Sequence, residues 1–149
     1  MTARMVRSSI LVLNALLLAF PSVGASEPLL RLHEERGAVV DSAGRTVLLH
    51  GVNLGKKGAP FLPDRTEEDY AALGRWGMNC VRFYINWAGI EPEPGKYDDT
   101  LLAGLDQHIG WANAHGLYVL LDLHQDLYSG VEPGGNGAPV WATLDDGKP

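Results

Sequence analysis

The stretch YVLLDLHQDLYSG, residues 118–130, decides how the rest of the chain is read. Tyr118 to Leu123 has the length and apolar content of a buried strand, interrupted only by Asp122. Directly after it come His124, Gln125, Asp126, Tyr128 and Ser129. A core strand that opens onto a polar cluster at its carboxyl end is the pattern of a parallel α/β sheet, where loops and functional groups gather at that end.

The residues upstream supply the matching units. Thr66 is placed to cap a helix whose first turn holds Glu67, Glu68 and Asp69, with Gly77 closing it after Trp76. Tyr70, Leu73 and Trp76 share one face of that helix. NCVRFYINW, residues 79–87, reads as the next strand, and GIEPEPGKYDD after it as a loop broken by Pro92 and Pro94. A second helix is expected from about Asp99 to His115, with Leu102, Leu105, Ile109 and Ala112 on its buried stripe.

Further upstream, residues 37–54 carry two apolar runs separated by Asp41, Ser42, Ala43 and Gly44. They read as a β-hairpin whose second arm continues into a strand ending at Asn53. Strands alternating with helices imply a parallel sheet, and strands apolar on both faces imply one covered by helices. After Leu123 no helix is legible, and loops longer than about 12–15 residues without secondary structure are uncommon unless functional. The sequence therefore reads as the opening third of something larger, with 26–36 as an N-terminal segment and 37–149 as a partial domain truncated in the loop after the third strand.

Composition bounds the function. Arg4 and Arg7 precede an apolar run from Ile10 to Phe20, followed by small residues at Val23 and Ala25, so residues 1–25 read as an export signal cleaved before Ser26. The run is shorter than the roughly 20 residues that cross a bilayer, which argues against a stable membrane anchor. Secretion is the expected destination. Removing residues 1–25 takes away those two arginines and no acid, so the formal charge moves from −6 to −8 over the remaining 124 residues. Such a chain is a poor electrostatic partner for nucleic acid or anionic membrane. Cys80 is the single cysteine, so no intrachain disulfide forms, and its apolar setting reads as a buried, inert thiol.

Candidate site residues collect at the strand ends: Asn53 with Lys56 and Lys57, Asn86 with Trp87, and His124 with Asp126. Arg82 lies inside a strand and needs a carboxylate partner, which Asp122 in the neighbouring strand can provide. The pair is either a structural ion pair or a means of orienting a catalytic carboxylate elsewhere. His124 admits three readings: a metal ligand with Asp126, a satisfied structural histidine, or a hydrogen-bonding subsite for a polyhydroxylated substrate. Asn53 and the lysines are poor company for a cation, and no further ligands are evident.

VVDSAGRTVLLHGVNL, NCVRFYINWAGIEPEPGKYDD and VLLDLHQDLYS together resemble the start of a glycoside hydrolase family 5 catalytic domain. DLHQDLYSG followed by GNGAPVWAT is similar, more narrowly, to the endoglycoceramidase-related branch, whose members cleave between glycan and ceramide in glycosphingolipids. The resemblance covers about residues 37–147. It implies an α/β fold, the N-terminal portion of a (β/α)8 TIM barrel comprising about the first three strands and preceded by a β-hairpin. It implies retaining hydrolysis of a glycan or glycolipid by two glutamates after strands four and seven, with no cofactor. Neither glutamate is expected within this chain, so no catalytic residue is assigned and the chain alone is expected to be inactive.

Carried over by position, Arg82 matches the family's strand-two arginine that steadies the nucleophile, and His124 the histidine lining the subsite where the sugar ring is cleaved. In the narrower branch, Asp126 and a lysine after strand one hydrogen-bond the glycan. Of the two lysines in GKKG, Lys57 is preferred. Trp141 is placed either to stack on a sugar face or to pin its loop. A polysaccharide-active family 5 glucanase or mannanase, a metal-dependent TIM-barrel hydrolase and a non-catalytic glycan-binding protein are the competing readings.

Overall fold

The computed structural model describes residues 28–146, so the expected export signal lies outside the described residues. The first elements, β1 (Leu32–Glu35) and β2 (Ala38–Asp41), pair antiparallel. Their connection is Arg36–Gly37 with φ of 52° and 81°. A two-residue turn with positive φ at both positions matches the twist of the strands it joins.

This hairpin lies upstream of the one expected over residues 37–54. The turn at Asp41 exists, with the Gly44 N–H donating to the Asp41 carbonyl at 2.9 Å. Beyond it, however, the returning chain makes one bridge, Thr46 to Val40, and no second arm. The cause is Asp41 itself, whose buried carboxylate accepts from the backbone of Ala43 and Arg45 and from the Arg45 guanidinium. These bonds wrap the chain around one side chain instead of continuing a ladder. The partner strand, LHEE, has no apolar alternation and left no periodic signal in the sequence.

The second sheet is parallel, in the order β3 (Gly51–Gly55), β4 (Cys80–Ile85), β5 (Tyr118–Leu123). Helix α1 (Glu67–Arg75) links β3 to β4. A single turn, α2 (Trp87–Ile90), and the longer α3 (Asp99–Ala114) link β4 to β5. Neither α2 nor a 3₁₀ turn at Val140–Ala142 was legible in sequence, being too short for a periodic stripe. The cap at Thr66 follows the sequence reading, with its N–H donating to the Asp69 carboxylate at 2.8 Å, and Asp98, not singled out in the sequence, caps α3 by accepting from the Leu101 N–H at 2.9 Å.

Alternation along the strands sends Val81 and Phe83 to the helix side, where they pack with Tyr70, Leu73, Ala112 and Leu117. Burying each large apolar side chain there contributes roughly 1.5–3 kcal/mol. The register of the helices differs slightly from expectation. Trp76 is 72% exposed and not part of the face made by Tyr70 and Leu73. On α3, Leu101 is buried where Leu102 was expected, Ile109 is only half-buried, and His108 joins the apolar face. A histidine is tolerated there because its Nδ1 meets the Tyr70 hydroxyl at 2.8 Å.

The other sheet face is not the apolar surface expected. Arg82 and Asp122 occupy it and pair at 2.5 Å, with Asn53 accepting from Arg82 at 3.3 Å. Cys80 is half-buried, and burial pushes its thiol up, which keeps it protonated and unreactive. β5 leaves Leu120, Leu121 and Leu123 more than half exposed at the sheet's edge.

Candidate functional site

The carboxyl ends of β3, β4 and β5 bring four of the sequence-selected residues into one chain of contacts. Asp122, inside β5, uses one carboxylate oxygen for both the Arg82 guanidinium, at 2.5 Å, and the His124 ring Nδ1, at 3.1 Å. On the far side of that ring, His124 Nε2 lies 3.3 Å from Asp126 Oδ2, and the same oxygen takes the Lys57 ammonium at 2.5 Å. The Tyr84 ring sits 5.3 Å from the imidazole. Arg82, His124 and Lys57 thus alternate with the carboxylates of Asp122 and Asp126 in one continuous run of contacts.

Hydrogen-bond geometry assigns the histidine. An ionised Asp122 can only accept, so Nδ1 carries the N–H. Nε2 lies buried 3.3 Å from Asp126 Oδ2 without a hydrogen-bond partner of its own. A hydroxyl reaching Nε2 would satisfy it. Asp126 is held ionised: the Lys57 ammonium, then the Asn136 amide, lower its pKa to about 2. Together these groups offer an unpaired ring nitrogen, a carboxylate and an ammonium to one polar ligand. Lys57 already sits on the oxygen that Asp126 turns toward His124.

Trp141 lies beside this run. Its indole N–H donates to the Glu91 carbonyl at 3.2 Å, and its ring meets Trp87 edge-on with centroids 5.4 Å apart. Glu91 in turn accepts the Trp87 indole N–H at 2.8 Å and the Gly95 N–H at 2.7 Å, and these bonds, Trp87 first, hold its carboxyl below the usual range. Trp141 therefore pins its loop, and a 39% exposed ring remains available. Trp87 also lines a cavity of about 180 Å³ with His124, Gln125 and Tyr128.

Two participants escaped the sequence reading. Glu91 reads as an ordinary acid just before Pro92, and Asn136 as one polar residue in a glycine-rich loop. The available signal for Asn136 was its flanking by Gly135 and Gly137. A Cβ on either glycine would collide with backbone across the loop, which marks a segment pressed against another.

Comparison with known proteins places this geometry. The family described as Cellulase (glycosyl hydrolase family 5) matches residues 40–146. The chain belongs to glycosyl hydrolase family 5. Within that family it is 42% identical over 118 residues to endoglycoceramidase I of Rhodococcus hoagii, covering 77% of this chain and 24% of that protein. It is 40% identical over 90 residues to a glucosylceramidase of Aspergillus fumigatus, covering 60% of this chain and 12% of that one.

Among solved structures, an endogalactoceramidase superposes with a TM-score of 0.70 at 34% identity, over 80% of this chain and 31% of that one. Endo-glycoceramidase II from Rhodococcus sp. in its ganglioside GM3 complex gives 0.65 at 41% identity, over 74% and 28%. The described residues are thus the N-terminal portion of the TIM barrel of family 5 enzymes, with three of its parallel strands. The chain spans about a quarter or less of the length of the relatives named.

Proposed function

We propose that the protein is a retaining glycoside hydrolase that releases the glycan from a glycosphingolipid-type substrate, and that this chain builds one wall of its site. The observation that carries the reading is the Lys57–Asp126–His124 group, whose Nε2 lacks a partner at the carboxyl ends of the strands. Sugar hydroxyls both donate and accept, so one hydroxyl can pair with Nε2 while another accepts from Lys57 and a third donates to Asp126. Similarity to endoglycoceramidases and to a ganglioside-complexed relative supports a glycolipid as the ligand.

In this reading the two working carboxylates, about 5–5.5 Å apart in retaining enzymes, come from residues outside this chain. Lys57, His124, Asp126 and Trp141 bind and orient the sugar, which accelerates reaction to the extent that their bonds tighten in the transition state, while Arg82 steadies the nucleophile. The protein is exported through residues 1–25. N-terminal sequencing of the mature protein should begin at Ser26.

The test is substrate choice by the full-length protein. Incubation with a ganglioside should yield free oligosaccharide and ceramide, resolved by mass spectrometry. Release of sugar from a β-glucan or mannan but not from glycolipid would replace this reading with a polysaccharide-active family 5 enzyme, and no turnover of any glycoside would leave only glycan binding.

A further inference from the structure

Asn136 is fastened to Asp126 at three points. Their backbones exchange a reciprocal pair of hydrogen bonds, Asp126 N–H to the Asn136 carbonyl at 3.1 Å and Asn136 N–H to the Asp126 carbonyl at 2.9 Å. The third is a side-chain bond, Asn136 Nδ2 to Asp126 Oδ2 at 2.8 Å, on the oxygen that also holds Lys57.

The direction of the Asn136 amide is set from behind. Asn86, 1% exposed at the end of β4, directs its Nδ2 at the His124 carbonyl, 3.0 Å away, and at Asn136 Oδ1, 2.9 Å away. A group that donates to a carbonyl must be the nitrogen of Asn86, so it also donates to Asn136, and Asn136 must present oxygen to Asn86 and nitrogen to Asp126. One buried amide thereby fixes the His124 backbone and, through Asn136, the Asp126 carboxylate. Two of the site's groups are tied to one support.

The sequence around Asn136 serves this contact. Gly137 has φ of 123°, and a Cβ there would collide with Gln125 and with the Tyr128 carbonyl. A Cβ on Gly135 would strike the Ser129 carbonyl. On the other side of the contact, Leu127 and Tyr128 both adopt positive φ, 54° and 70°, turning the chain sharply after Asp126. Non-glycine residues in that region are uncommon and cost free energy that the surroundings must offset. Both segments are shaped so that the two side chains meet.

We propose that Asn136 is a positioning residue for glycan binding: its amide, oriented by Asn86, holds the Asp126 carboxylate in place beside Lys57 and His124. Asn136 acts through Asp126 and not on the sugar directly. The proposal rests on the glycosidase reading only for its kinetic consequence; the Asn136–Asp126 coupling can be measured without a substrate.

Two measurements on the full-length protein test it. The first is the ¹³C titration of the Asp126 carboxyl, assigned with Asp126→Asn. Its midpoint should rise in Asn136→Ala, which removes the donor, and rise further in Asn136→Asp, which sets a second carboxylate against it while keeping an acceptor for Asn86. The Asp variant guards against collapse of the loop in the Ala variant. An unchanged midpoint in both would overturn the proposal.

The second is a double-mutant cycle on a ganglioside. Asn136→Ala should raise KM about tenfold, with a smaller fall in kcat. The same substitution should add little in an Asp126→Ala background. Additive effects would show that Asn136 does not work through Asp126. A wild-type protein without turnover would sink the glycosidase reading while the titration still decided the coupling.

Discussion

The hydroxyl of Tyr70 in α1 lies 2.8 Å from Nδ1 of His108 in α3, and both side chains are buried on the helix side of the parallel sheet. Burial pushes the phenol up, so it stays a neutral donor, and burial pushes the imidazole down, so it stays a neutral acceptor. The contact is a polar seam between the two crossover helices. It is packed against Phe83 and Trp111.

His108 makes stability fall with acid. Its folded pKa is below the ordinary 6.5, so the unfolded chain takes up a proton first as pH drops. The stabilisation is complete above about 6.5 and lost as pH falls through the lowered folded value. His108→Gln keeps a carbonyl for the Tyr70 hydroxyl and removes the titration. Urea unfolding of the full-length protein at pH 7.5 and pH 5 should show a smaller loss of stability in the variant than in wild type. Tyr70→Phe, by contrast, should cost about 1–2 kcal/mol at both pH values, because it leaves the ring nitrogen buried and unpaired.

Lys57 and Lys56 are adjacent, and only Lys57 is paired with Asp126. Lys57→Met should raise the KM for glycan by about tenfold, as loss of a charge-assisted bond does, whereas Lys56→Met should change it less than twofold. The acid side gives a second readout. Asp126, held at about 2 chiefly by Lys57, has a depressed carboxylate pKa, so its favourable contacts are intact above the ordinary value of 3.8 and are lost as pH falls through 2. Without Lys57 that loss moves to higher pH, and the acid limb of glycan binding should move with it. Equal effects of the two lysine variants would show that the pairing with Asp126 is not what binding uses.

β5 exposes Leu120, Leu121 and Leu123 at 55%, 53% and 65%, and its outer edge has unpaired backbone groups. An apolar edge strand of this kind templates association with other chains. Residues 26–149 expressed alone should be insoluble, or elute as large aggregates, and show no hydrolysis. A soluble monomer with one cooperative thermal transition would contradict this.

The legible parts of the molecule were those whose signals are local and periodic. Helix α1 was readable from Thr66, its three acids and the Tyr70–Leu73 spacing, and β5 from its apolar run. Arg82 needed a carboxylate, and the register that sets Tyr84 opposite Asp122 supplies one next door. The first hairpin was misplaced because Leu32–Glu35 is mostly polar and exposed, so its strand is held by backbone pairing that leaves no trace in side-chain pattern. His108 was invisible for the opposite reason: a polar residue on an apolar face is explained only by a partner 38 positions away. Asn136 and Glu91 share that cause. The Asn136 contacts to Asp126 and Asn86 and the Glu91 contact to Trp141 join separate segments that spacing does not encode, whereas the Glu91–Trp87 bond is a local i, i+4 contact across a helix too short to leave a stripe.

Glu91 gives the last prediction. Its carboxylate holds the Trp87 indole and its carbonyl holds the Trp141 indole, so one residue keeps two rings in edge-to-face contact beside His124. Glu91→Ala removes the carboxylate and leaves the carbonyl. The Trp87 N–H then loses its acceptor, the edge contact loosens, and Trp141 follows because its remaining bond is long, at 3.2 Å, and exposed. Hydrogen exchange of the indole N–H groups, followed in ¹⁵N-tryptophan-labelled protein, should therefore accelerate strongly at Trp87 and more weakly at Trp141. Trp76, 72% exposed just past the end of α1, is the internal control and should not change. Glu91→Gln, whose single amide oxygen can serve the indole or the Gly95 N–H but not both as well as a carboxylate does, should fall between the two. If Trp87 exchange is the same in all three proteins, the indole is held by packing alone and Glu91 has no part in placing the pair.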